Sequence, residues 1–155
     1  MLVGIRPAED EARHIHEVAE RILSRVESSG KATAMMVGSV ARGTWIHGDR
    51  DLDIFLLFDP SLPREELEIQ GLSLAREIAH AESGRFREKY AEHPYINASI
   101  DGLDVDLVPC YQVESAACIQ SAVDRTPFHT RYIMERIPPF VDDVLLLKQF
   151  AKAGG

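Results

Sequence analysis

The chain has 155 residues, with 17 Lys and Arg against 25 Asp and Glu and a formal charge of -8; that is enough for one domain with its own core and too little for two ordinary ones. The acidic total argues against a self-sufficient nucleic-acid-binding module, although it leaves room for a local basic patch. Cys110 and Cys118 form no CxxC pair, and no apolar stretch of membrane-spanning length or secretory leader is visible, so a soluble, cytoplasmic protein without membrane contact is expected.

Residues 7–29 predict an amphipathic helix, with Pro7 in its first turn, Glu9, Asp10 and Glu11 at its positive end, and Ile15, Val18, Ile22, Leu23 and Val26 at helical spacing. Gly30 is a natural stop. "ATAMMVG" (32–38) predicts a buried strand, a polar loop follows, and a second strand runs from about Leu52 to Phe58. Asp59, Pro60, Ser61 and Pro63 end it and open a helix through about Ala81. "YINASIDGLDVDLVPCY" (95–111) predicts two strands hinged at the Asp101-Gly102 dipeptide. Helical character follows at 113–123, 128–134 and 140–150. The expected fold is α/β in the α+β sense, a small mixed or antiparallel sheet with helices packed on one side. The last helix runs almost to the end of the chain, which suggests a piece of something longer.

A strand places residues i and i+2 on one face, so Asp51 and Asp53 point the same way while Leu52 and Ile54 point into the core. Two bare carboxylates side by side repel, and no neighbouring lysine relieves them. A hard divalent cation such as Mg²⁺ would. "DVD" repeats the arrangement at Asp104 and Asp106. If the two strands are neighbours, Asp106, deeper in its apolar run, joins Asp51 and Asp53 as a third carboxylate around one or two ions, which in a two-metal site lie about 4 Å apart.

"GSVARG" follows a strand and opens a short helix. Gly38 lets backbone approach a ligand closely, first-turn N–H groups can hold phosphate oxygens, Ser39 adds a hydroxyl and Arg42 a guanidinium fork. Neither the Walker order nor the dinucleotide fingerprint is present. Trp45 is expected as a lid on the core edge, His47 as a solvated loop residue, and Tyr95 and Tyr111 as packing residues.

"GSVARGTWIHGDRDLDIFLLF" together with "DVDLVPCY" resembles the nucleotidyltransferase signature, in the form found in archaeal class I tRNA CCA-adding enzymes, with a more distant likeness to eukaryotic poly(A) polymerases. The resemblance covers essentially the whole chain. It implies the nucleotidyltransferase fold, a catalytic head domain over 1–155 that belongs to a longer multidomain enzyme, and metal-binding carboxylates at Asp51, Asp53 and Asp106. It also implies phosphate contacts from Gly38, Ser39 and Arg42, a threonine and a histidine near the nucleotide at Thr126 and His129 of "RTPFHT", and a phosphate-binding lysine at Lys148 of "LLLKQF". That lysine is independently motivated, because an ammonium bordering an apolar face needs an anion.

The implied reaction is attack of the tRNA 3'-hydroxyl on the α-phosphate of CTP or ATP with two Mg²⁺ ions. The implied partners are the tRNA 3' end and further C-terminal domains, and the resemblance admits a homodimer of the full-length protein. Two other functions stay open on the sequence: a stand-alone small nucleotidyltransferase acting on a protein, an antibiotic or a short nucleotide, and a nucleotide-binding or assembly module without catalysis.

Overall fold

In the computed structural model, which describes residues 3–82 and 84–154, the first helix, α1, spans Glu9–Ser29. Pro7 precedes its first turn; the helix is closed at its start by Glu11, whose Oε2 accepts from the Ala8 N–H at 2.9 Å. Gly30 ends it in the left-handed conformation, φ 66°. Strand β1 (Thr33–Val37), the five-residue helix α2 (Gly38–Arg42) and strand β2 (Asp51–Phe58) follow, then α3 (Arg64–Glu82). Three further strands are β3 (Phe86–Tyr90), β4 (Pro94–Ile100) and β5 (Leu103–Tyr111).

The five strands form one sheet in the order β1-β2-β5-β4-β3. The β2–β5 pair is parallel and the other three are antiparallel, so the sheet is mixed, as expected. β3 is an element the sequence did not announce. Asp101 and Gly102 both take positive φ, 48° and 80°, and turn β4 into β5 as predicted, with Ile100 opposite Leu103.

α1 and α3 cover one face of the sheet. Leu52, Ile54, Leu56 and Phe58 of β2 pack there with Ile15, Ile22, Leu74, Val105 and Leu107. Gly71 lets α3 lie directly on β5: a Cβ there would stand 2.4 Å from Pro109 Cβ. On the other face Val37, Phe55, Leu57 and Cys110 form a second, smaller core. β2 is thus buried on both sides over most of its length, and only the end carrying Asp51 and Asp53 opens to solvent.

The tail differs from the expectation of a helix over 113–123. Val113 is buried and Ile119 packs against the core from a loop with a short 3₁₀ turn at Ala116–Cys118. α4 starts instead at Ala122 and runs to Met134, because Ser121 and Asp124 cap each other's backbone N–H groups. A Pro138–Phe140 turn leads into α5 (Val141–Ala153). No helix among the described residues is long and apolar enough to cross a membrane.

Candidate active site

Val37, the last residue of β1, pairs with Asp53, so the chain must turn away past that carboxylate at the next residue. Gly38 makes the turn with φ +74°, and a Cβ there would stand 2.2 Å from Asp53 Oδ2. A residue with a side chain could not take this place without moving that carboxylate. Ser39 and Arg42 follow on α2, and Arg42 Nε donates to the Gly38 carbonyl at 3.0 Å. Gly43 ends α2, with the Thr44 N–H donating to the Ser39 carbonyl at 2.9 Å.

The parallel β2–β5 register sets Asp51 beside Asp104 and Asp53 beside Asp106. Neighbouring strands lie about 4.8 Å apart and in-register residues share a face, so four carboxylates form a row of two pairs. Leu52, Ile54, Val105 and Leu107, which alternate with them, are fully buried on the opposite face. Burial first, then the charges of Asp106, Asp51 and Asp104, pushes Asp53 up to about 6, against the pull of Arg42. Burial also raises Asp106, opposed by a hydrogen bond from Asn97 and the charge of Lys89. Among the described residues no three His, Cys, Asp or Glu side chains converge as a ready metal cage; the carboxylates are a row. Their donor chemistry, hard oxygens in mutual repulsion, fits Mg²⁺.

Lys148 reaches the same loop from α5: its Nζ donates to the Thr44 carbonyl at 2.6 Å. Burial lowers its pKa, with Asp49 opposing and Arg42 and Lys152 adding to the effect. Thr126, half-buried, and His129, exposed, lie on α4, which packs against α2, β1 and β5. The structure therefore brings Gly38, Ser39, Arg42 and Lys148 around one loop and Asp51, Asp53 and Asp106 along one sheet end. Thr126 and His129 join them only through the packing of their helix.

Trp45 is buried in the main core. His47 is an exposed loop residue whose Nδ1 meets Glu11 Oε2 at 2.6 Å. Tyr111 is a packing residue, its hydroxyl donating to the Leu62 carbonyl at 2.6 Å. Sequence reasoning passed over Asn97, which contacts both Asp104 and Asp106. Its signal was a lone amide between Ile96 and Ala98 in an apolar strand.

A left-handed glycine against a carboxylate, a two-strand acidic row, and Arg42 of α2 and Lys148 of α5 near the loop between them make up the site. Residues 15–138 match the family described as Nucleotidyltransferase domain, and the chain belongs to that family. Among individual relatives, the CCA-adding enzyme of Methanoregula boonei is 66% identical over 151 residues, which cover 97% of this chain and 33% of that enzyme. The CCA-adding enzyme of Methanosarcina acetivorans is 44% identical over 165 residues, covering 100% and 35%. The chain thus spans about a third of the length of these curated relatives. Among solved structures, Escherichia coli MS115-1 CdnC with ATP superposes with a TM-score of 0.71 at 20% identity, over 97% of this chain and 54% of that one. That likeness is one of fold.

Proposed function

We propose that this chain is the nucleotidyl-transfer part of a CCA-adding enzyme, moving CMP from CTP and AMP from ATP onto the tRNA 3'-hydroxyl with release of pyrophosphate. The observation that carries the proposal is the in-register pairing of Asp53 with Asp106 beside a glycine that has no room for a side chain. The 66% identity to a CCA-adding enzyme supports the substrate class.

In this proposal Asp51, Asp53 and Asp106 hold Mg²⁺, as two ions, which when bound would neutralise phosphate charge and acidify the attacking hydroxyl. The protein's own groups position and exclude. Gly38 admits phosphate to backbone distance of the α2 start, Ser39 offers a hydroxyl, and Arg42 and Lys148 set positive charge beside the departing pyrophosphate. Thr126 and His129 meet the nucleotide from α4. The new bond joins the acceptor oxygen to the α-phosphorus, and the bond from that phosphorus to the β-phosphate oxygen breaks. The remaining two thirds of the enzyme hold the body of the tRNA, and the reaction runs in the cytoplasm.

The test is calorimetric titration of the chain with CTP and ATP, with and without Mg²⁺, alongside an Asp51→Asn, Asp53→Asn double variant. The expected result is Mg²⁺-dependent binding that the double variant loses. Equal binding by both folded proteins, or binding indifferent to Mg²⁺, overturns the assignment of the carboxylates.

A further inference from the structure

One row of the sheet runs across all five strands: Val37, Asp53, Asp106, Asn97 and Arg87. Asn97 is only 7% exposed, yet its amide faces charged groups. Nδ2 donates to Asp104 Oδ1 and, at 2.7 Å, to Asp106 Oδ1. Its Oδ1 accepts from Arg87 Nε at 3.3 Å. Chemistry permits only this orientation: flipped, the amide oxygen would face two carboxylate oxygens, and the NH₂ would face a guanidinium that has no acceptor. Arg87 thereby fixes the amide, and the amide's two hydrogens fix two carboxylates.

We propose that Asn97, oriented by Arg87, is a positioning residue that holds Asp106 and Asp104 side by side against their repulsion and presents Asp106 to the metal next to Asp53. This rests on the metal role given above to the carboxylates. Asn97 engages one oxygen of Asp106 and leaves the second for the ion. Apolar packing alone would have been served by Val or Ile at this position of β4, and a buried amide whose partners are carboxylates is what a metal site needs around its ligands. Outer-shell partners of this kind typically change metal affinity about 10–100-fold when removed.

The experiment is titration with Mn²⁺ alone, followed by loss of the free-ion electron paramagnetic resonance signal, for the wild type, Asn97→Ala, Arg87→Ala, Asp53→Asn and Asp106→Asn, with thermal unfolding of each. Asn97→Ala should weaken Mn²⁺ binding roughly tenfold or more while still unfolding cooperatively. Arg87→Ala should weaken it less. In an Asp106→Asn background, Asn97→Ala should cost little further, a non-additivity that a merely structural role does not produce. A folded Asn97→Ala that binds Mn²⁺ like the wild type overturns the proposal. If that variant does not fold, Arg87→Ala on the exposed edge strand decides, and unchanged affinity there overturns it. If wild type and Asp53→Asn bind equally, the metal role of the carboxylates fails and this inference falls with it; if they differ and Asn97→Ala matches the wild type, only the inference falls.

Discussion

At Gly38 one hydrogen atom is all that stands between the backbone and Asp53. Gly38→Ala adds a methyl that would lie 2.2 Å from Asp53 Oδ2, on a φ of +74°. We expect a stability loss of about 1–3 kcal/mol from the strained conformation, measured by urea unfolding. If Asp53 holds the metal as proposed, nucleotidyl-transfer activity should fall on the order of a hundredfold, because the added methyl displaces that carboxylate. Asp53 itself carries a pH signature. Its pKa in the folded chain is pushed up to about 6 from the ordinary 3.8 of a free aspartate, so the folded state binds its proton more tightly than the unfolded one. That stabilisation is fully present below about pH 3.8 and is lost as pH rises through about 6. At about pH 7.5 the ionised Asp53 faces three other carboxylates, so Asp53→Asn should melt a few degrees higher than the wild type there. The difference should shrink by pH 5, which thermal scans at the two pH values will check. Addition of Mg²⁺ should raise the wild-type midpoint at the higher pH and leave Asp53→Asn nearly unmoved.

At the level of elements, the second core depends on α4, and α4 depends on a single buried cap. Asp124, 1% exposed, accepts from the backbone N–H groups of Tyr111 at 2.9 Å, Gln120 at 3.2 Å and Ser121 at 2.9 Å. Asp124→Ala leaves these donors without their carboxylate and should cost about 3 kcal/mol. Hydrogen exchange should show α4 opening ahead of β2 and β5. The elements that were legible beforehand owe this to strong local signals: the 3.6-residue repeat of α1, the Asp-Gly turn, and the doubled acidic pair that marks β2 and β5. β3 was not legible because "FREKY" is an edge strand with one working face, and its polar residues pair across the sheet rather than with sequence neighbours. The 113–123 stretch misled through Val113 and Ile119, apolar residues that anchor a loop to the core instead of lining a helix. Asn97 showed only as a lone amide, and its role could not be read because its partners lie on two other strands.

For the whole molecule, charge sets a further expectation. A net charge of -8 gives tRNA phosphates little counter-charge, so the 155-residue chain should bind tRNA weakly, at no tighter than about 10⁻⁴ M at physiological salt. Fluorescence anisotropy with labelled tRNA measures this; tight, salt-sensitive binding by the chain alone would assign it an RNA surface of its own. Finally, β2 and β5 are spatial neighbours but not sequence neighbours: α3, β3 and β4 all lie between Asp53 and Asp106. The acidic row therefore comes together only when the most non-local strand pairing in the chain closes, a late and slow event by topology. A nascent or clipped chain that stops short of β5 has only half of the row, so the complete set of four carboxylates arrives together with the finished sheet and serves as its own report that folding is complete.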